Sequence, residues 1–178
     1  MYVKATEHPE LWTFLAGLRP GQILEGTVAA LKPFGVFVAL DEGPAHPVFP
    51  GVGFITVPEL SWRRIGAASD VVRVGQRVSC EFLRFDDWNG EARLSLRALQ
   101  PDPLRAAGLV AGQTLPGRVT RLLPFGAFVE VAEGVEGLAP AEELPAGPEQ
   151  LRVGDEVLAV VLSLDLGSRR LTLSLRRS

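Results

Sequence analysis

The sequence predicts an all-β protein of two tandem five-stranded barrels with a short N-terminal helix. Three observations predict it: an internal repeat, short stretches in which apolar residues alternate, and a high content of turn-forming residues. The 178 residues suffice for two small domains, and 47% are apolar, which is enough for two cores. The 19 glycines and 14 prolines indicate many turns between short elements.

The internal repeat gives the domain organisation. Residues 21–40 align without a gap to residues 112–131, with eleven identities in twenty positions. Two later blocks keep the same order along the chain, which indicates duplication of one unit. These blocks are Arg73–Val78 with Arg152–Val157, and Arg93–Leu96 with Arg170–Leu173. We therefore expect an N-terminal segment, a first barrel and a second barrel at residues 1–17, 18–103 and 104–178.

Each unit has the pattern of five strands. In the first unit Val36, Val38 and Leu40 alternate with Phe37 and Ala39, which is the period of a half-buried strand. Turn signals such as Asn-Gly separate the later stretches. Five short strands in one small unit favour a closed barrel, because closure leaves no exposed edge. One helical turn is expected before the fourth strand of each unit, at residues 69–72 and 148–151.

The segments outside the repeat are short. Residues 9–16 predict a helix, because Pro9 lies in its first turn and Gly17 follows it. Leu11, Trp12 and Leu15 are expected to pack on the first barrel, so removing the helix should lower stability modestly. Residues 100–103 form a proline-bearing linker.

Composition narrows the classes of function. No apolar run reaches the roughly 18 residues of a membrane span, and the first ten residues do not resemble a signal peptide. The single cysteine, Cys80, permits neither an internal disulfide nor a cysteine metal site. We expect a cytoplasmic protein without membrane contact. The net charge of −3 argues against a strongly basic nucleic-acid binder, so any such binding must use a local surface.

One aromatic pair occurs in both units. Phe34 and Phe37 are three residues apart, and strict alternation would place them on opposite faces. Gly35 permits a kink that brings both rings to one surface, as Gly126 does for Phe125 and Phe128 in the second unit. Two exposed rings on one barrel face can stack the bases of a single strand. The alternative is that the rings are core, but the inward residues of the strand already supply a core.

These motifs resemble the S-one RNA-binding domain, an OB-fold unit of many translation and RNA-decay factors. The resemblance spans roughly residues 18–100 and 109–176. It rests on the glycine-opened first strand, the Phe-Gly-x-Phe pair, Glu59-Leu-Ser, Val74–Val78 and Arg93–Leu96. It implies two OB-fold barrels that bind single-stranded RNA without catalysis and without a cofactor.

The resemblance also implies a set of site residues. An arginine on the last strand meets phosphate beside the rings, and an acid at the end of the fourth strand contacts base or sugar. The alternative is that acid and arginine only tether two strands. The expected RNA-binding residues are Lys32, Phe34, Phe37, Thr56, Asp86 and Arg93 in the first unit, and Arg121, Phe125, Phe128, Asp165 and Arg170 in the second.

The chain departs from the family pattern near the third strand. A frequent family histidine is replaced by Thr56 and Pro140. The first unit also carries a longer connection at residues 41–50, which could cover or extend the binding face. His46 in this connection could replace the missing histidine or could simply be solvated.

Two functional hypotheses follow. The first is a non-catalytic protein that binds single-stranded messenger or ribosomal RNA, at the ribosome or on the messenger. The alternative is a protein-interaction adaptor that docks a ribosomal component or a toxin near Trp62 and Trp88, the latter expected to be exposed. An enzyme is not expected, because the two histidines lie outside the repeats and no nucleophile pair, phosphate loop or metal cluster is present.

The first barrel is expected to bind RNA more strongly than the second. Beside the second ring it carries Ala39 where the second barrel carries Glu130, and a carboxylate there would repel phosphate. It also carries Lys32 and Thr56. Arg118 and Arg121 of the second barrel would favour the opposite order, because their positive charges attract phosphate.

Overall fold

The computed structural model describes residues 3–145 and 151–176. The chain divides into two compact units, Met1–Pro101 and Asp102–Ser178. Each unit is built on a closed five-stranded barrel. The all-β class and the tandem barrels predicted from the repeat are confirmed.

The first unit begins with helix α1, and its strands close in the order β1-β2-β3-β5-β4. All neighbouring strands are antiparallel except β3 and β5, which run parallel. The elements are α1 (Pro9–Ala16), β1 (Ile23–Lys32), β2 (Gly35–Leu40), β3 (Gly53–Thr56), β4 (Arg77–Asp86) and β5 (Glu91–Ser95). Single 3₁₀ turns lie at Val57–Glu59, Ala68–Asp70 and Arg97–Leu99.

The second unit repeats this topology after a one-turn helix. Its elements are α2 (Pro103–Ala106), β6 (Thr114–Leu123), β7 (Gly126–Ala132), β8 (Val135–Pro140), β9 (Glu156–Asp165) and β10 (Arg170–Ser174). A 3₁₀ turn follows β8 at Ala141–Glu143. The helical turn predicted at residues 69–72 is present as the 3₁₀ turn Ala68–Asp70. Its predicted counterpart at 148–151 falls mostly outside the described residues.

Alternating side chains build the barrel interior, as β2 illustrates. Val36 and Val38 are buried in the core of the first unit, and Ala39 between Val38 and Leu40 is exposed. The long first strand passes very close to β2 at a glycine: a Cβ on Gly26 would lie 2.6 Å from the carbonyl oxygen of Ala39. Only glycine permits this approach, which lets one strand pair with two neighbours and close the barrel.

The N-terminal segment belongs to the core of the first unit. Leu11 and Leu15 of α1 are buried in it together with Val3. The Trp12 ring meets the Phe85 ring edge-on at 6.1 Å. The Val3 backbone N–H donates to the Trp88 carbonyl at 2.9 Å. The segment therefore forms part of the core of the first unit, rather than packing on the outside of a complete barrel.

Three further observations bear on function. Within residues 3–145 and 151–176, no helix is both long and apolar enough to cross a membrane. The same residues hold no group of three or more side chains placed to bind a metal ion. Cys80 is buried, and burial raises the pKa of its thiol to about 12, so the thiol is protonated at neutral pH.

Candidate nucleic-acid interface

Phe34 lies at the tip of a tight hairpin. Lys32 pairs with Gly35, so Pro33 and Phe34 form the two-residue connection between β1 and β2. The Phe34 side chain is 61% exposed. A Cβ on Gly35 would lie 2.4 Å from the Ile55 carbonyl oxygen, so the strand after the turn presses directly on β3. The turn, together with the glycine, places the Phe34 ring 6.2 Å from the Phe37 ring and edge-on to it.

Phe37 is buried, and the prediction that it is partly exposed is wrong. Only 4% of its surface is accessible, although it alternates with the inward valines and so lies on the outer face of β2. Two further rings cover it. Phe49 of the 41–50 connection stacks on it at 5.3 Å and 25°, and Phe54 of β3 lies 5.0 Å away.

Arg93 is a cation on this outer face. Its guanidinium carbon lies 5.0 Å from the centre of the Phe54 ring. One of its nitrogens donates to Asp86 at 2.8 Å, and Glu91 lies 3.6 Å away. Arg93 and Asp86 are therefore paired with each other across β4 and β5, which is the tether that the sequence left as the alternative.

Asp86 also organises the β4–β5 turn. One of its carboxylate oxygens accepts the backbone N–H groups of Trp88 and Asn89 at 2.8 and 3.0 Å. Burial acts to raise the pKa of Asp86, but these hydrogen bonds and Arg93 outweigh it and hold the pKa below its usual value. Asp86 is thus a charged turn residue at neutral pH.

Lys32 and Thr56 lie at the same end of the barrel as Phe34. Lys32 ends β1 and is exposed, and Thr56 ends β3 and is half-buried. Both are cross-strand partners of Gly35. The structure therefore brings Lys32, Phe34 and Thr56 into one neighbourhood.

In the second barrel both predicted rings are partly exposed. Phe125 is 56% exposed at the β6–β7 turn, and Phe128 is half-buried. The ring centres are 6.5 Å apart, edge to face. The guanidinium carbon of Arg121 lies 4.3 Å from the centre of the Phe128 ring, a cation–π contact. Arg121 is also the cross-strand partner of Phe128 on β6.

Arg170 does not occupy the place of Arg93. In the first barrel Arg93 stands opposite Phe54 in the parallel pair of β3 and β5. In the second barrel Thr172 stands opposite Leu138 in the same pair. The structural counterpart of Arg93 is therefore Thr172, and the predicted alignment of Arg93–Leu96 with Arg170–Leu173 is wrong by two residues.

The error has a simple cause. Leucines recur every second residue along β10, so a shift by two residues preserves the inward face and most identities. Arg170 pairs instead with Asp165 at the start of the β9–β10 turn. Asp165 accepts the backbone N–H groups of Gly167 and Ser168, and hydrogen bonds from Ser168 contribute most to lowering its pKa. The second barrel thus carries its ring-stacked cation on β6, as Arg121.

His46 does not replace the missing family histidine on the accessible surface. It is 9% exposed and stacks on Phe49 at 4.8 Å. Its Nδ1 accepts the backbone N–H groups of Val48 and Phe49, at 3.1 and 2.9 Å. Its Nε2 lies 2.8 Å from the Asn89 carbonyl oxygen. Since Nδ1 accepts, Nε2 carries the proton and the ring is neutral.

Stability of the first unit should therefore decline in mild acid. Burial, with a smaller contribution from the charge of His8, lowers the pKa of His46 against opposing hydrogen bonds to Asn89 and Gly90. Below about pH 6.5 the unfolded chain takes up a proton that folded His46 refuses, so the unfolding free energy falls with pH. Urea unfolding at pH 8 and pH 5.5, followed by tryptophan fluorescence, measures the decline.

All three tryptophans, Trp12, Trp62 and Trp88, lie in the first unit, so their fluorescence reports on it. A His46→Gln variant should lose part of the decline relative to the unsubstituted protein. An equal decline in His46→Gln and the unsubstituted protein would contradict the assignment.

Comparison with known proteins agrees with the barrel geometry. The family model described as the S1 RNA binding domain matches residues 18–97 and 109–176. Over 173 residues the chain is 42% identical to small ribosomal subunit protein bS1 of Mycolicibacterium smegmatis, covering 93% of this chain and 34% of that protein. For bS1 of Neisseria meningitidis the identity is 32%, covering 98% of this chain and 31% of that protein.

The chain spans about a third of the length of these curated relatives. Among solved structures, the solution structure of GSP13 from Bacillus subtilis is 36% identical, covering 38% of this chain and 55% of that chain with a TM-score of 0.35. The family model matches both barrels and most of the chain. The chain belongs to the S1 RNA-binding domain family, represented by two tandem copies.

Proposed function

We propose that this chain is a non-catalytic protein of the cytoplasm that binds single-stranded messenger or ribosomal RNA in translation, with the ribosome as a partner. One observation carries the proposal. Each barrel presents an exposed phenylalanine at a hairpin turn beside a second ring on the outer face of the next strand. The relatives named small ribosomal subunit protein bS1 support the setting in translation.

The exposed rings suit bases without reading their sequence. Every base has a π-face, and stacking on an aromatic side chain contributes about 1–3 kcal/mol per base. Phe34 and Phe125 are each more than half exposed, so a base can reach them. Lys32 lies beside the first ring, and Arg121 lies on the second barrel's face, where each can meet phosphate. The acidic net charge gives little long-range attraction, so short-range contacts must supply the affinity.

The adaptor alternative finds less support in the structure. Trp88 is 57% exposed, as predicted. Trp62, however, is half-buried: the Arg97 guanidinium carbon lies 4.4 Å over its ring, and its indole N–H donates to the Gln100 carbonyl. Glu59 in turn holds Arg97. The Trp62 ring is therefore engaged in contacts within the first unit.

A salt titration tests the function. The anisotropy of a labelled oligouridylate of about 12 nucleotides is followed as protein is added at several salt concentrations. RNA binding predicts that log K falls linearly with log salt, with a slope of about −0.7 per phosphate contacted. Absence of binding at low salt, or an affinity that does not change with salt concentration, would contradict the proposal.

Substitution of Arg121 makes the salt titration a test of one specific contact. Replacing it with glutamine removes the cation stacked on Phe128, so affinity should fall severalfold and the salt slope should shrink by about 0.7. Arg105→Gln is the matched control, because Arg105 is exposed on α2 and the substitution makes the same change in charge. Equal losses in the two variants would show that net charge alone matters.

A further inference from the structure

We propose that residues 41–50, within the connection between β2 and β3, occupy the RNA-binding face of their own barrel. We call this segment the strap. In it the Phe49 ring takes the place of a stacked base on Phe37, and the second barrel provides the principal two-ring platform. This inference rests on the proposed function. It adds that the second barrel is the main RNA-binding barrel and that the strap restricts RNA binding by the first.

The contact between Phe49 and Phe37 has the geometry of base stacking. The ring centres are 5.3 Å apart and the planes are inclined by 25°, an offset stack. The neighbouring Phe34–Phe37 contact is edge-on instead, with planes at 87°. Phe37 is consequently 4% exposed, whereas its counterpart Phe128 is half-buried. A nucleotide base can reach Phe37 only if Phe49 leaves.

The strap is anchored on both sides of Phe49. His46 stacks on Phe49 and binds the Asn89 carbonyl in the β4–β5 turn, while its Nδ1 fixes the Phe49 N–H. The chain then returns tightly to β2: a Cβ on Gly51 would lie 2.4 Å from the Val38 carbonyl oxygen. Phe49, itself half-buried, has stacked partners in both Phe37 and His46, so it is held in place over Phe37.

The second barrel has no counterpart of the strap. There β7 ends at Ala132 and β8 begins at Val135, so only Glu133 and Gly134 join the two strands. Within residues 3–145 and 151–176, the group stacked on Phe128 is the Arg121 guanidinium. Arginine is itself a residue that contacts phosphate and bases, so this face stays suited to RNA.

The first barrel keeps a reduced site. Phe34 remains exposed and is backed by Phe54, with ring centres 5.8 Å apart and planes at 30°. Lys32 lies beside it. One ring remains in place of two, which reverses the order of affinity expected from the charge of Glu130.

Removing the Phe49 ring tests the inference. The background carries Phe125→Ala and Phe128→Ala, so that the first barrel's binding to a labelled oligouridylate is measured. Phe49→Ala should raise the affinity roughly fivefold or more, because a second ring opens to stacking. Val48→Ala is the control, since Val48 is an exposed neighbour on the strap. Adding Phe37→Ala to Phe49→Ala should abolish the gain.

A second variant guards against local misfolding. Residues 132–136 replace residues 41–52, which gives the first barrel the short connection of the second. It should also gain affinity, with tryptophan fluorescence reporting that the first unit stays folded. Unchanged or weaker binding in both variants would overturn the inference, since the strap would then be neutral or part of the site. Failure of the unsubstituted protein to bind RNA would instead refute the proposed function.

Discussion

Alanine at both Phe125 and Phe128 is expected to weaken binding of a single-stranded oligoribonucleotide roughly 10- to 100-fold at fixed salt. The two rings form the more accessible aromatic pair, and the loss of one or two stacked bases accounts for that factor. Without the Phe128 ring the Arg121 guanidinium would also lose its stacking partner. The guanidinium should then be held less firmly in a position to contact phosphate. Anisotropy titration at one salt concentration measures the loss.

The same pair of substitutions in the first barrel is the internal control. Phe34→Ala with Phe37→Ala should cost only severalfold, because Phe37 already carries the Phe49 ring. Thermal melting must show both variants folded. If the first-barrel pair costs more, the carboxylate of Glu130 and the ammonium of Lys32 matter more than ring access. If neither pair matters, binding lies elsewhere on the chain.

The fold could be predicted because its determinants are local. The alternation of Val36 and Val38 with Phe37 sets the inner and outer faces of β2, and the structure keeps those faces. Gly26 lies mid-strand because its partner strand approaches too closely for a Cβ. Such requirements act between near neighbours or direct strand partners, so they are visible in a sequence that repeats them.

The site could be predicted only in part, because accessibility depends on distant segments. Sequence placed Phe34 and Phe37 on one face correctly, but Phe37 is covered by Phe49, twelve residues away in a connection that the second unit does not share. Nothing local in the strap reveals where its ring will stack. The alignment of Arg170 with Arg93 was wrong for another reason: leucines alternate along β10, and alternation alone does not fix register.

Replacing Leu15 with alanine is expected to destabilise the first unit by about 2–5 kcal/mol. Leu15 is fully buried and belongs to the same core as Leu11 and Val3, so the substitution leaves a cavity inside the unit. This exceeds the modest contribution that the sequence predicts for the helix. Urea unfolding followed by tryptophan fluorescence measures it.

Thr13→Ala supplies the comparison for Leu15→Ala, because Thr13 is exposed on the same helix and should change stability by no more than about 0.5 kcal/mol. Leu11 and Leu15 of the helix are buried in the core of the first unit, and Trp12 adds its edge-on contact with Phe85. A loss in Leu15→Ala no larger than in Thr13→Ala would mean that α1 does not complete this core. A loss of the expected size would mean that any fragment beginning at residue 18 lacks part of the barrel on which Phe34 is displayed.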